Sequence, residues 1–267
     1  MKVFISCDIE GTALTTLWDE CYPQKKPSTS SAAGKQMTME VKAACEGAIA
    51  AGATEIVVKD AHASGTNIDP SLLPSCVRVI RGSAGSPWSM VYGIDESFDA
   101  AMFVGYHSAA GKCGNPLSHT ETTATVWVKL NGEKCSEFRL YSYAAALAKV
   151  PSVFLAGDQM LCNDSKYIHP KLKSVAVKDG FGGMTCCLQP QVACDKIRET
   201  AEQALKQDLS DALCTLPEEF TFEVCYKEVK QAVAMSYFPG FELVDDNTIR
   251  LKTRDYWDVL RAVLFVL

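Results

Sequence analysis

The sequence predicts an α/β fold: a three-layer α/β/α core with a mostly parallel sheet, plus a second, smaller α/β lobe. Short apolar runs alternate along the chain with segments of helical periodicity. The 267 residues are 48% hydrophobic and 22% charged, which is typical of a globular protein rather than a disordered or fibrous one. We therefore expect residues 1–267 to form a single compact unit, built as one body or as two intertwined lobes.

The first half of the chain contains three predicted strands and one predicted helix. Each strand is a short apolar run bounded by polar residues, and the three lie at 3–7, 55–59 and 101–106. A helix is predicted over residues 39–51, with Thr38 as its N-cap and Gly52 as its end.

A hairpin is predicted in the middle of the chain. Residues 126–130 and 134–140 flank Asn131 and Gly132, and an Asn-Gly pair supplies the positive φ angles of a type I′ turn. A helix over about 143–149 should follow.

The C-terminal half continues the alternation. Residues 192–209 form a predicted helix because apolar side chains recur there at helical spacing, between charged ones. Residues 220–224 alternate apolar and polar side chains, which predicts a half-buried strand. Two more strands are predicted at 153–156 and 174–178, and a last helix from about Arg254, capped by Thr253.

One connection lacks periodicity. Residues 12–36 contain two prolines, a Ser-Thr-Ser-Ser run and Trp18. Long irregular connections in compact domains are often lids or walls of a site, although some are disordered. Both interpretations stay open for this flexible or lid-like connection.

Composition excludes several classes of function. The net charge of −6 offers no broad basic surface, so we expect no nucleic-acid partner. No apolar stretch is long enough to span a membrane, and the apolar N-terminal run is too short for a signal peptide. The twelve cysteines form no CxxC pair and are scattered through apolar segments, which indicates reduced thiols and a cytoplasmic location.

Three predicted strands end in residues that bind metal ions well. Asp8 and Glu10 follow the first strand, Asp60 and His62 the second, and His107 the third. Side chains at i and i+2 of an extended segment point the same way, and ligands of open α/β sheets sit beyond the carboxyl ends of the strands. The pattern indicates a shared site.

Simpler interpretations compete with this one. A lone aspartate at a strand end is usually a turn former or a helix cap, and a lone histidine after an apolar run is usually a core residue. Of the four histidines, His119 lies in the loop that follows His107, whereas His169 is interpreted as a surface or turn residue. Residues 180–183, Gly-Phe-Gly-Gly, do not complete a dinucleotide fingerprint, because Thr185 occupies its last position.

An ordered set of motifs resembles a known family. Residues 6–11, Ser-Cys-Asp-Ile-Glu-Gly, match the SxDxEG signature of the zinc D-aminopeptidases of the dipeptide-transport-protein type. Further matches follow in the family's order over nearly the whole chain: Asp60-Ala61-His62, Gly105-Tyr106-His107, Ser118-His119, Glu137, Ala156-Gly157-Asp158 and Ala176-Val177-Lys178. Each motif alone is weak, but the ordered set is specific.

The resemblance implies a catalytic unit with two zinc ions per chain. Asp8 would bridge the metals, and His119 would take the family's catalytic position. The remaining implied ligands are Glu10, His62, His107 and Glu137. Asp60 is not a ligand in the family, and we expect it to orient one. The implied activity is hydrolysis of short peptides or aminoacyl amides from the N-terminus by a zinc-activated water, with D-residues as implied substrates, in a ring-shaped homo-oligomer, a decamer.

Two positions depart from the family pattern. Tyr141 stands where the family has asparagine, and Gly183 stands where an arginine is expected. They support one alternative, a metal-binding relative without full catalysis. A second alternative is a two-metal phosphoesterase, because similar ligands serve displacement at phosphorus, although no lysine or arginine cluster flanks the candidate ligands.

Overall fold

A computed structural model describes residues 1–22, 27–169 and 171–267 of the chain. Its larger sheet has seven strands in the order β3-β2-β1-β4-β7-β8-β9, all parallel to their neighbours except β9, which runs antiparallel to β8. These strands are β1 (Lys2–Cys7), β2 (Glu55–Asp60), β3 (Val77–Ile80), β4 (Ala100–Tyr106), β7 (Ser152–Asp158), β8 (Lys173–Phe181) and β9 (Met184–Cys187).

A second sheet is antiparallel, with five strands in the order β11-β12-β10-β5-β6. Its strands are β5 (Thr125–Leu130), β6 (Glu133–Lys134), β10 (Phe220–Tyr226), β11 (Phe241–Leu243) and β12 (Thr248–Thr253). The helices are α1 (Pro27–Ala50), α2 (Glu137–Leu147), α3 (Gln159–Ser165), α4 (Pro190–Lys206), α5 (Val229–Met235) and α6 (Tyr256–Val266).

Two apolar clusters lie on opposite faces of the larger sheet. Alternate residues of β1 divide between them: Val3 and Ile5 pack with α1 and α4, whereas Phe4 packs with α2, the second sheet and α6. Such division is expected of a parallel strand that is buried on both faces. The predicted fold, a three-layer core with a mostly parallel sheet and a smaller lobe, is confirmed.

Three sequence predictions are wrong in detail. Residues beyond Lys134 do not continue a hairpin strand, because Ser136 caps helix α2 there. Thr38 lies inside α1, where its hydroxyl donates to the carbonyl of Gly34, so it does not cap the helix. The cap of α6 is Asp255 rather than Thr253; its side chain accepts from the backbone N–H of Trp257.

The connection predicted over 12–36 is shorter than expected. Residues 27–36 belong to α1, and residues 23–26 lie outside the described part of the chain. Residues 12–22, which we call the wall segment, are irregular apart from one 3-10 turn over Trp18–Glu20. Among the described residues, no helix is both long and apolar enough to span a lipid bilayer.

Candidate metal centre

The candidate site lies at the carboxyl ends of three adjacent strands. β1 lies between β2 and β4, with Cys7 opposite both Asp60 and Val104. All three strands run in parallel, so the residues after them emerge at one edge. The predicted convergence of Asp8, Glu10, His62 and His107 is present, and all four side chains are buried.

Two glycines allow the segments that follow β1 and β4 to touch. The backbone N–H of Gly11 donates to the carbonyl of Gly105 over 2.7 Å, and a Cβ at Gly11 would lie 1.8 Å from the carbonyl oxygen of Tyr106. Gly105 has a φ of +75° and would meet the carbonyl of Asp8 at 2.1 Å. Only glycine fits such an approach.

Asp8, Glu10 and His62 form the first metal group. The Nδ1 atom of His62 lies 3.1 Å from Asp8 Oδ1 and 3.1 Å from Glu10 Oε2. Their ligand atoms lie within 4.8 Å of one another, which is close enough to hold one ion.

The second metal group contains His107, His119 and Glu137. His107 Nε2 lies 3.2 Å from Glu137 Oε2, and His119 Nε2 lies 3.6 Å from Glu137 Oε1. The two imidazoles stack with ring centroids 4.4 Å apart. Asp8 joins the groups, because its Oδ2 atom lies 3.4 Å from His107 Nε2 while its Oδ1 faces His62.

Helix α2 supplies Glu137, which the sequence placed in a predicted strand. Glu137 is the first residue of the helix, and the Ser136 hydroxyl accepts a hydrogen bond from the backbone N–H of Arg139 over 3.2 Å. A carboxylate is favourable in the first turn of a helix because the helix dipole is positive there.

Backbone carbonyls fix the orientation of each imidazole. His62 Nε2 donates to Cys21 over 2.7 Å, His107 Nδ1 to Ser108 over 3.0 Å, and His119 Nδ1 to Leu117 over 2.8 Å. Because a carbonyl can only accept, the opposite ring nitrogen of each histidine carries the lone pair when the ring is neutral. In all three cases that nitrogen faces the carboxylates, as a metal ligand requires.

Buried residues behind the site hold its loops, and sequence reasoning missed their role. Asp158 accepts from both the backbone N–H and the hydroxyl of Ser108, and Asn115 donates to Asp158 and to the carbonyl of Glu10. Lys178 donates to the carbonyls of Glu10 and Thr15. The motifs containing Asp158 and Lys178 were the available signal.

Asp60 stabilises a loop next to His62. Its carboxylate accepts from the backbone N–H groups of Asn67 and Ile68 and from the side chain of Asn67, which also donates to the carbonyl of His62. Asp60 therefore acts on the backbone of His62 through Asn67. The group that orients the His62 imidazole is the carbonyl of Cys21.

The buried carboxylates of the site require positive charge. Burial raises the pKa of Asp8 to about 8, and Glu10 contributes in the same direction. Burial also disfavours the charged form of Glu10, but His62 holds the pKa of that carboxyl well below its usual value. Burial opposes protonation of His107, yet Glu137 raises its pKa to about 10. Without cations, the histidines supply the compensating charge.

The residues present fit a metal centre. Glu10 Oε2 and His107 Nε2 are buried and make no well-directed hydrogen bond to the described residues, although they lie 3.1 Å from His62 Nδ1 and 3.2 Å from Glu137 Oε2 respectively. Unpartnered buried polar atoms are rare in proteins and call for an explanation, and here both atoms face the other candidate ligands. Imidazole and carboxylate together suit zinc and similar divalent ions.

A cavity of about 460 Å³ opens onto both metal groups. Trp18 and Tyr22 of the wall segment line it, and their rings contact those of His119 and His62. Lys59 also lines the cavity, with its ammonium group hydrogen-bonded to the carbonyls of Asp60 and Gly82.

Glu121 is a further carboxylate of the cavity, which the sequence gave no reason to single out. Burial raises its pKa to about 7, and the nearby Glu137 adds to that effect. Tyr141, the first family departure, donates to it. Gly183, the second, lies in the exposed turn between β8 and β9. His169 is buried, contrary to the sequence interpretation, and hydrogen-bonds to the Ser142 hydroxyl.

Fold and site together are those of an α/β protein whose candidate metal ligands converge at the carboxyl ends of a parallel sheet. Comparison with known proteins makes this specific. A family model described as D-aminopeptidase, peptidase family M55, matches residues 1–265. The chain belongs to this family of peptidases, which confirms the family predicted from the sequence and the enzyme class, a metal-dependent aminopeptidase.

Two relatives extend the comparison. A D-aminopeptidase of Bacillus subtilis (strain 168) is 26% identical over 266 residues, which cover 99% of this chain and 96% of the relative. A solved structure of the Zn-dependent D-aminopeptidase DppA from Bacillus subtilis, described as a self-compartmentalizing protease, superposes with a TM-score of 0.89 at 26% identity. That alignment covers 100% of this chain and 96% of the DppA chain.

Proposed function

We propose that this protein is a two-zinc aminopeptidase that releases the N-terminal residue of short peptides or aminoacyl amides, with D-residues as its substrates. The observation that carries the proposal is the pair of metal groups joined by Asp8. Support for zinc and for D-residues comes from the relatives, one of them a Zn-dependent D-aminopeptidase.

In this proposal, Glu10 and His62 would hold one metal, His107 and Glu137 would hold the other, and Asp8, which faces both groups, would contribute to each. When bound, the two ions would polarise the scissile carbonyl and activate a water molecule. The protein's own contribution is positional: the carbonyls of Cys21 and Ser108 direct His62 Nδ1 and His107 Nε2 toward the carboxylates.

His119 serves as the acid–base group of the reaction. Its Nδ1–H is held by the carbonyl of Leu117, so its Nε2 faces Glu137 and the cavity. The side chain is 13% exposed, more than the other candidate ligands, which suits a group that exchanges protons with substrate. The ligand atoms of His119, His107 and Glu137 also lie within 4.8 Å of one another, close enough to share one ion. Metal analysis of a His119 variant therefore tests the acid–base role against a role as metal ligand.

We also propose that the chain works in the cytoplasm as a homo-oligomer, a ring-shaped decamer with the sites facing an enclosed space. Support comes from the self-compartmentalizing relative and from large apolar side chains that stand exposed, among them Tyr167, Phe181, Tyr237 and Phe265. Contacts between subunits would bury such side chains.

The first test is elemental analysis together with a substrate panel. We expect close to two zinc ions per chain, hydrolysis of D-aminoacyl amides in preference to their L-counterparts, and little hydrolysis of an aryl phosphate. Finding no bound transition metal would contradict the proposal. Phosphate hydrolysis alone would favour the two-metal phosphoesterase, and two metals with no turnover would favour a metal-binding relative without catalysis.

A further inference from the structure

An aminopeptidase must distinguish a free N-terminus from an internal amide, and a carboxylate that is not a metal ligand can make that distinction. Four carboxylates line the cavity in the described part of the chain: Asp8, Glu10, Glu121 and Glu137. Three of them, Asp8, Glu10 and Glu137, are candidate ligands whose negative charge bound cations would neutralise. Glu121 is the remaining one, and we propose that its carboxylate binds the α-ammonium group of the substrate. This inference rests on the proposed function.

The backbone of Glu121 is fixed directly beside the metal centre. Its N–H donates to Glu137 Oε1 over 2.7 Å, so the residue is attached to a candidate ligand. Its φ of +60° is unusual for a residue other than glycine, and this conformation turns the N–H toward Glu137 while the side chain lines the cavity.

Tyr141 is the positioning residue for the Glu121 carboxylate. It is fully buried in α2, one helical turn after Glu137, so the helix presents both side chains on the same face. The Tyr141 hydroxyl donates to Glu121 Oε1. Tyr141 replaces the asparagine of the family pattern, so this arrangement gives the departure a physical role.

The second oxygen of Glu121 accepts no hydrogen bond from the described residues, and Glu121 lines the cavity, so this oxygen is available to a ligand there. A protonated amine offers up to three N–H donors and a positive charge, and a carboxylate held in place by another donor is its natural acceptor. An internal peptide nitrogen has neither the charge nor the extra donors. The Glu121–Tyr141 pair therefore selects for a free N-terminus.

The test compares two zinc-binding compounds that differ only in the amine. D-alanine hydroxamate and propionohydroxamate carry the same chelating group, but only the first has an α-ammonium group. We expect the zinc-loaded wild type to bind the alanine compound more tightly by about 10- to 100-fold, the range of one charge-assisted hydrogen bond. In Glu121→Gln this preference should fall close to one, with the affinity for propionohydroxamate and the zinc content unchanged.

Tyr141→Phe provides an independent variant. It keeps the carboxylate but removes its anchor, so the preference should fall partway while propionohydroxamate binds as in the wild type. A loss of packing alone would weaken both compounds equally. Glu218→Gln, which changes an exposed glutamate remote in sequence, is the matched control and should keep the wild-type preference.

The outcomes separate this inference from the proposed function. A zinc-loaded wild type that binds neither hydroxamate contradicts the metal centre itself. A wild type that binds both equally, or a Glu121→Gln protein that keeps the preference, overturns the role of Glu121 alone. If Glu121→Gln loses zinc, the Tyr141→Phe protein decides, and an unchanged preference there overturns the inference.

Discussion

Asp8 is the residue on which the two metal groups depend, because each of its oxygens faces a different histidine. We expect Asp8→Ala to lose most of its bound metal, since the substitution removes the only carboxylate that faces both groups among the described ligands. Elemental analysis after gel filtration measures this directly. Asp246→Ala, at an exposed site, is the control, and full metal content in Asp8→Ala would exclude the bridge.

His119 is the residue whose role separates proton transfer from metal binding. We expect His119→Ala to keep both metals and the fold but to lose turnover by about 10²- to 10⁴-fold, mainly in kcat, because that is the usual contribution of acid–base assistance. Metal content and steady-state kinetics on an aminoacyl amide measure the two effects. Loss of one metal would make His119 a ligand, and near-normal turnover would remove it from the mechanism.

His169 couples folding to pH. Burial, with Arg139 nearby, lowers its pKa to about 4, below the value near 6.5 of an unfolded chain. The unfolded state therefore binds more protons between these values, and stability that is present above pH 6.5 is lost as the pH falls toward 4. Between pH 7 and pH 5 the loss from this residue should be about 2 kcal/mol.

Urea unfolding of wild type and His169→Gln at both pH values measures this contribution as a difference. The substitution removes the titrating group, so the variant should lose less stability than the wild type on acidification. Equal losses in the two proteins would show that His169 is not held neutral in the fold.

Some residues of the site could be predicted from the sequence and others could not. Asp8, Glu10, His62 and His107 follow apolar strands directly, so the parallel sheet brings them together. Glu137 was available only through the family resemblance, since no local pattern marks it. Glu121 reaches the cavity by a positive φ angle, and the Cys21 contact is made by a backbone carbonyl. Neither feature, a backbone φ angle or a backbone carbonyl contact, can be recognised from the pattern of side chains in the sequence.

At the scale of elements, the first two turns of α2 carry both Glu137 and Tyr141 and so determine their positions in the site. Removing its cap in Ser136→Ala should lower the free energy of unfolding by about 1 kcal/mol and weaken metal binding, because the first turn that carries Glu137 would fray. Chemical unfolding and zinc titration measure the two effects. Ser136→Thr, which retains a capping hydroxyl, should stay close to wild type, and unchanged zinc affinity in the alanine variant would count against this role.

The misassigned elements have physical causes. Residues after Lys134 were expected to continue a hairpin, because the Asn-Gly turn is a strong local signal, but the cap at Ser136 starts a helix after a two-residue strand. Helix α1 was expected to begin near Thr38, although it begins at Pro27. Proline in the first turn of a helix is favourable, and the serines and threonines that follow it concealed the helix.

At the scale of the whole molecule, all twelve cysteines are free thiols. We expect twelve thiols per chain to react with a thiol reagent in denaturant without reductant, because none is paired in a disulfide and seven are buried. In the native protein the rapid reaction should be limited to the exposed set, Cys76, Cys113 and Cys186. Several disulfides in freshly purified protein would contradict both the free thiols and a reducing location.

The wall segment both orients a candidate metal ligand and lines the cavity above it. The carbonyl of Cys21 accepts a hydrogen bond from the imidazole of His62. In the same segment Trp18, three positions earlier, and Tyr22, one position later, line the cavity. An outward displacement of the wall segment would also remove the acceptor of the Nε2–H of His62, a candidate metal ligand. We therefore expect zinc to exchange faster with chelators when the entrance is open, and a bound inhibitor that holds the wall closed to slow that exchange.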